Sequence, residues 1–337
     1  METLNTTLPL LWFGLVALFL TVYLITDGFD LGVGILTLTA TNEERRGIII
    51  NTLSTVWDAN ETWLVCTGGL LYGAFPLAYA TIVNALYIPI TLMVIGFIFR
   101  AVSFEFREHS INKTFWNFGF GGGSLLVAFA QGLVLGGVIA GIKVDEAGNF
   151  IGGTWDWFNL PSILIALTVV QGYVLIGSTY LITKTEGELK RYHYITAKFS
   201  AITTFVGALA LTIATPIFYE QVKLRLLHQP EVLIFAAIPL LATGTMALLM
   251  NSINRREEKM PFIWTIVVFL ITILALAFVV FPYIIPFQIT IYQASSSLSS
   301  QTFMIAFIGF FVPIILFYNA YLYRVFKGKV SSPHYGE

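Results

Sequence analysis

Residues 8–36 read LPLLWFGLVALFLTVYLITDGFDLGVGIL, and nineteen residues pass from Leu8 before the first charge, Asp27. At 1.5 Å per residue the segment from Leu8 to Asp27 rises about 28 Å, close to the thickness of a bilayer's hydrocarbon core. The rest of the chain repeats this pattern. Of 337 residues, 57% are hydrophobic, 15% aromatic and only 11% charged, and the mean hydropathy is +0.80. A soluble domain carries about 25% charge, so a single water-soluble core is excluded. Disorder is excluded by the same numbers, since it needs low hydrophobicity and high charge. An outer-membrane barrel would show short alternating segments, and none stands out. The composition therefore predicts an all-α polytopic membrane protein.

Nine apolar runs can be placed, at 8–36, 52–75, 78–100, 116–142, 161–183, 196–219, 232–250, 262–282 and 303–324. The first lacks a basic leader and a small-residue cleavage pattern, so it reads as a membrane helix and not a signal peptide. Lys and Arg divide unequally between alternate sides: Arg45, Arg46, Arg100, Arg107, Lys113, Lys184, Lys190, Arg191, Lys198, Arg255, Arg256, Lys259, Arg324, Lys327 and Lys329 on one, against Lys143, Lys223 and Arg225 on the other. A 15-to-3 split puts the amino terminus outside and the carboxyl terminus in the cytoplasm. The connections are short. Segments 143–160 and 184–195 are the longest clear loops and Ser295–Ser300 is a polar outer linker. The chain reads as one integral-membrane domain, 1–337, without an appended soluble domain.

Ionisable groups inside apolar runs are the candidates for function, because a charge at mid-bilayer costs at least ~2.5–3.5 kcal/mol. Asp27 and Asp30 share one face of the first helix at i, i+3. They read either as a proton or cation entry point or as an interfacial, solvated helix end. Asp58 and Glu61 repeat the spacing in the second run, beside Trp57, Asn60 and Trp63. Asp58 lies about 18 Å beyond Arg46 if that stretch is helical, which places it inside the membrane as a proton carrier or as a structural carboxylate paired with an arginine. Arg100 ends the third run and is the natural counter-ion of Asp58 or Asp30, or else a snorkelling arginine. Glu105, Arg107 and Glu108 follow it.

Other signals are weaker. Gln131 and Gln171 suit interhelical hydrogen bonds. The glycines of 28–34 and 119–123 lack the Lys-Ser/Thr ending of a phosphate loop and suit close helix packing. One cysteine, Cys66, excludes an internal disulfide. The triplet Asn60-Glu61-Thr62 matches a glycosylation acceptor, by accident if it is buried. The four histidines, His109, His193, His228 and His334, fall in or beside loops. No helix then offers a midplane imidazole for haem iron, and Met93, Met246, Met250 and Met304 read as core. A net charge of −1 gives no field for nucleic acid.

Several stretches together resemble subunit II of the cytochrome bd-type quinol oxidases. They are Asp27-Gly28-Phe29-Asp30-Leu31-Gly32-Val33-Gly34; Trp57-Asp58 with Asn60 and Trp63; Phe75-Pro76 with Ala78-Tyr79-Ala80; and Arg100 with Ser103-Phe104-Glu105-Phe106-Arg107. Gln171-Gly172, Thr179-Tyr180-Leu181 before Glu186-Gly187-Glu188-Leu189, Phe281-Pro282 with Pro286, and Val312-Pro313 extend it over essentially the whole chain. The resemblance implies nine helices arranged as two four-helix bundles plus one peripheral helix, in a prokaryotic cell membrane. It implies a pseudo-symmetric partner, subunit I, that holds two b-type haems and one d-type haem and takes quinol and O₂, and often a small single-helix accessory subunit. It implies water-forming, electrogenic O₂ reduction with cytoplasmic protons, no haem or metal on this chain, and in some members a structural quinone. Trp57, Asp58, Asp30, Arg100 and Glu105 match positions tied to a proton path, with Asp27 and Glu61 as further candidates. The alternatives are a proton-coupled secondary transporter and a purely structural assembly subunit.

Overall fold

The computed structural model describes residues 2–227 and 231–330. In chain order the elements are α1 (Glu2–Thr37), α2 (Glu43–Asn51), α3 (Trp57–Ala74), α4 (Pro76–Ala85), α5 (Tyr87–His109), α6 (Lys113–Ala140), α7 (Leu160–Lys184), α8 (Gly187–Phe218), α9 (Glu220–Leu227), α10 (Glu231–Asn254), α11 (Met260–Val280), β1 (Tyr283–Ile285), β2 (Ile289–Thr290), α12 (Ile291–Ala294) and α13 (Leu298–Val325). Among the described residues eight helices are long and apolar enough to cross a membrane, and the bent pair α3–α4 makes a ninth candidate. The apolar runs thus become helices where expected, apart from boundaries.

Local chemistry sets those boundaries. Asn112 and Asn159 cap α6 and α7 through their side chains. Pro76 and Pro261 sit in the first turns of α4 and α11, where their missing amide costs nothing. The residue before Pro76, Phe75, is pushed to φ −133°, ψ 62°, which stops α3 and turns the chain by 120° into α4. The expected second span does not start at 52. After α2 the chain runs through turns, and α3 begins only at Trp57, so the 18 Å helical rise from Arg46 to Asp58 does not apply.

Two other expectations fail at boundaries. Segment 184–195 is not a loop, because α8 starts at Gly187, directly after a two-residue break with Gly187 at φ 57°. The serine linker is half helix: Ser297 caps α13, accepting from the Ser300 amide. The short hairpin β1–β2 buries Ile285 and Ile289, and the Ser296 amide donates to the Ala74 carbonyl at the α3–α4 corner. The hairpin is too short for strand periodicity to reveal it.

Helix α1 is the hub, packed on α3, α6 and α7. One core gathers residues from α1, α3, α6 and α7, and a second gathers α7, α8, α10 and α11 around Leu175, Ala197, Leu249 and Val268. Glycines allow the closest approaches: Gly32 lies against the Tyr173 carbonyl and Gly177, and Gly123 against Gly96. The glycine-rich stretches therefore serve helix packing.

Basic residues gather at one end of the bundle, where Arg45 pairs with Glu188, Lys190 with Glu258, and Lys329 with Glu258 and Glu186. Arg46 caps α1 by donating to the Thr37 and Ala40 carbonyls. Glu43 ties this rim together, meeting Arg107 at 2.5 Å, Arg46 at 2.7 Å and the Asn117 amide at 2.9 Å. Burial alone would raise its carboxyl pKa, but the Arg46 hydrogen bond, the Arg107 charge and the Asn117 bond outweigh it and hold it below the usual range. A lowered folded pKa contributes stability that is present above the unfolded value near ~4.3 and is lost as pH falls through the folded value. Glu43→Gln should therefore cost on the order of 1 kcal/mol at pH 7, discounted for an exposed carboxylate, and the difference from the parent should vanish in acid. Thermal melts at pH 7 and pH 3 check this, and an equal gap at both would refute it.

Candidate functional site

Arg100 is the largest charged side chain fully enclosed by the fold, and α5 carries it between two carboxylates of α1. Its Nη1 meets Asp27 Oδ1 at 2.7 Å and its Nη2 lies 3.7 Å from Asp30 Oδ2, with 1% or less of each side chain exposed. From α3, Asn60 donates through Nδ2 to Asp30 Oδ2 at 2.8 Å. From α13, the Tyr323 hydroxyl donates to Asn60 Oδ1 at 2.7 Å. Four helices thus converge on one polar centre. The i, i+3 spacing of Asp27 and Asp30 makes both available to one guanidinium, whose planar fork can span them. Asp27 Oδ2, Asp30 Oδ1 and Arg100 Nε keep no hydrogen-bond partner among the described residues. Two carboxylates against one cation leave one formal negative charge in excess, which a proton can neutralise.

Half-buried Glu61, one residue past Asn60, lies within the fields of Arg100, Asp27 and Asp58. A second network lies one turn before Asp27 on α1: the Tyr23 hydroxyl accepts from the Gln131 amide, and the Tyr173 hydroxyl donates to Gln131 Oε1 at 2.6 Å. Gln131 and Gln171 both make interhelical hydrogen bonds, the latter accepting from Thr203 at 3.0 Å.

Asp27 is not a solvated helix end, since α1 runs on for ten residues to Thr37 and Asp27 is fully buried. Arg100 does not snorkel, and it pairs with Asp27 most closely and with Asp30 next, not with Asp58. Asp58 stands in the first turn of α3 with its side chain exposed on the outside of the chain, where the helix dipole favours an anion. Glu105 is also exposed. Trp57 packs on Phe104 at 5.2 Å, and Phe104 on Phe120 at 5.8 Å. The structure therefore brings Asp27, Asp30 and Arg100 into contact, keeps Glu61 half-buried within reach of their fields and leaves Asp58 and Glu105 on the surface. Asn60, being buried and bonded to Asp30, is no glycosylation acceptor.

Tyr323 was invisible from the sequence. It lies 263 positions from Asn60, among many aromatics of a helix that is largely exposed on the outside of the chain. It latches α13, which touches the bundle mainly at α3 and α1. Tyr323→Phe should cost about 1 kcal/mol and loosen α13 selectively. Amide hydrogen exchange reads this as faster exchange confined to α13, and a uniform change would contradict it.

His193 also departs from expectation. It lies in the second turn of α8, fully buried, and neither ring nitrogen has a partner among the described residues. His109 is exposed near the end of α5, and His228 and His334 lie outside the described residues. Among the described residues no group of three or more His, Cys, Asp or Glu side chains is placed to hold a metal ion.

Fold and site together define a multi-pass helical membrane protein with an arginine-bridged carboxylate pair in its interior. The chain belongs to the family described as cytochrome bd terminal oxidase subunit II, whose sequence profile matches residues 8–326. It is 28% identical over 368 aligned residues to the cytochrome bd-I ubiquinol oxidase subunit 2 of Escherichia coli K12, covering 96% of each chain. It is 33% identical to the cytochrome bd ubiquinol oxidase subunit 2 of Bacillus subtilis over 204 residues, 59% of this chain and 60% of that one. The solved bd oxidase of Geobacillus thermodenitrificans shares the fold, with a TM-score of 0.77 at 19% identity over 95% of this chain and 99% of that one.

Proposed function

We propose that this chain is the non-haem half of a bd-type quinol oxidase, scaffolding a haem-bearing subunit I and supplying it with protons from the cytoplasm. The observation that carries the reading is the buried pair Asp27–Asp30 bridged by Arg100, a centre with one negative charge in excess and a proton-binding group beside it in Glu61. Asp58 and Glu105 are exposed on the outside of the chain, which leaves them free to exchange protons with the surroundings or with a partner. Protons enter at this face, pass between Asp58 and Glu61, and the charge state of the interior centre biases their transfer. The lysine-rich end faces the cytoplasm under the positive-inside rule, with the amino terminus outside. The two packed cores support an arrangement of two four-helix bundles with α13 peripheral.

Haem chemistry, two b-type and one d-type, belongs to subunit I, where quinol oxidation is coupled to electrogenic reduction of O₂ to water. Among the described residues the buried imidazole is that of His193, in the second turn of α8 with neither ring nitrogen partnered, so these residues do not offer a haem a pair of facing ligands. A single-helix accessory subunit and a structural quinone complete the assembly that the family implies. Family membership displaces the transporter reading.

Asp58→Asn and Asp30→Asn test the relay. In complexes with intact haem spectra, quinol-driven O₂ consumption should fall roughly tenfold or more, a barrier increase of at least ~1.4 kcal/mol. Unchanged turnover would overturn the relay. The purely structural reading draws on the mutual pairing of Asp27, Asp30 and Arg100, and it predicts instead that Asp58→Ala prevents recovery of the complex while any complex recovered turns over normally.

A further inference from the structure

The lysine-rich end of the bundle contains a cavity of about 550 Å³ between α1, α7, α11 and α13, within the roughly 300–1,000 Å³ of small-ligand sites. Its rim carries Lys184, Lys259, Lys327 and Lys329 against one carboxylate, Glu258. Two of these cations are already occupied: Lys329 pairs with Glu258 and Glu186, and Lys184 donates to the Phe326 and Gly328 carbonyls. Lys259 and Lys327 have no counter-charge among the described residues. Lys259 is also the N-cap residue of α11, and its side chain makes no capping hydrogen bond, so the positive end of that helix dipole opens at the same rim. Below the rim the lining turns apolar and aromatic. Phe29 stacks on Tyr180 at 4.2 Å, Phe262 closes over both at 6.0 and 5.7 Å, and Ile25 and Ile266 complete the floor.

We propose that this cavity binds an anionic phospholipid, its phosphate held between Lys259 and Lys327 and the start of its acyl chains lying on Phe29, Phe262 and Ile266. The two halves of the site select this class together. A free anion gains nothing from the aromatic floor, and a neutral quinone can accept a hydrogen bond from a lysine but brings no negative charge to match two unpaired cations. A lipid with a negative headgroup uses both, and it is available where a helical bundle's basic end meets an anionic leaflet. The inner wall of the cavity includes Tyr323 and Thr26, and Tyr323 bonds Asn60, which bonds Asp30. The bound lipid therefore braces the side of α13 that reaches the carboxylate centre. This assignment is independent of the oxidase reading, because it needs only a membrane and this chain.

The test uses the chain in its native assembly, purified in mild detergent, stripped of loosely held lipid and titrated with short-chain phosphatidylglycerol. Lys259→Gln with Lys327→Gln should weaken binding about thirtyfold, roughly fivefold per lysine. Ile266→Trp fills the floor without touching the lysines and should abolish binding of the lipid. Mass spectrometry of extracted lipids should find one retained anionic phospholipid in the parent and none in either variant. The proposal is overturned if short-chain phosphatidylcholine binds as tightly, if inorganic phosphate binds as tightly and loses affinity in the lysine variant, or if the parent retains a quinone there that survives the lysine changes.

Discussion

Arg100→Leu is expected to abolish recovery of the folded chain. The guanidinium is buried against Asp27 and Asp30, and removing one partner of such a group leaves uncompensated charge in the interior, which costs about 3–5 kcal/mol. Folded proteins commonly hold only about 5–15 kcal/mol in total, so the loss is of the same order as the whole. Arg100→Lys should fare little better, because a single ammonium cannot present separate donors to two carboxylates as a planar fork does. Neutralising the carboxylates as well, in Arg100→Leu with Asp27→Asn and Asp30→Asn, should restore much of the yield while leaving turnover impaired. Monodisperse yield on size-exclusion chromatography and the melting temperature are the measurements. An Arg100→Leu protein with parental yield and melting temperature would mean that the cluster is not held by this ion pair.

The rescue separates assembly from the proposed proton handling. If the triple variant assembles with intact haems in its partner and yet turns over normally, the interior centre is architectural and the proposed relay is confined to Asp58, Glu61 and Glu105. If it assembles and turns over slowly, the ionisable groups of the centre matter to function in their own right.

Much of the fold was legible because a bilayer imposes a length. Every one of the nine runs contains a helix, since a backbone in hydrocarbon must satisfy its hydrogen bonds within its own segment. Helix ends were less legible. The apolar run 78–100 is two helices, Pro76–Ala85 and Tyr87–His109, and α8 starts nine residues before its expected beginning at 196 because polar residues 187–195 continue the helix beyond the apolar zone. Hydropathy measures where oil is, while helices extend past it. The same gap misplaced His193: its flanking sequence is polar, so it read as loop, yet it lies within α8 and is fully buried.

The candidate site was half legible. The i, i+3 pair of α1 and the arginine of α5 were each recognisable as costly in a membrane, and the physical demand for a counter-ion brought them together. Which carboxylate Arg100 meets was not legible. Depth along a helix can be counted from sequence, but rotation about its axis depends on packing, and Asp58 was assigned a depth on the assumption of unbroken helix from Arg46. The turns at 52–56 remove that assumption and let α3 present Asp58 outward and Asn60 inward. Tyr323 had no signal of its own, because a tyrosine in an aromatic-rich apolar helix acquires meaning only from the amide it touches.

Gly32→Val should be the most disruptive substitution of a single uncharged residue in the α1–α7 contact. A Cβ at Gly32 would lie 1.8 Å from the Tyr173 carbonyl oxygen and 3.0 Å from the Gly177 Cα. Both are backbone atoms of α7, so no rotamer change relieves the clash and the helices must separate. Overpacking in a well-packed core usually costs about 1–3 kcal/mol, and here the whole hub helix would move, carrying Asp27 and Asp30 away from Arg100 on α5. The effect should therefore exceed that range and appear as lost assembly. Gly28→Ala is the graded control: its Cβ would meet only the Tyr173 ring, 2.9 Å away, which can shift at the expense of its bond to Gln131. Gly68→Ala and Gly69→Ala meet nothing within 4 Å, and replacing a helical glycine there should be neutral or stabilise by about 0.4–1 kcal/mol. The order of melting temperatures, with Gly68→Ala and Gly69→Ala at or above the parent, Gly28→Ala below it and Gly32→Val lowest or unrecoverable, tests whether backbone proximity of α1 and α7 is what sets the carboxylates in place. A Gly32→Val protein that melts with Gly68→Ala would show that α1 has another way to pack.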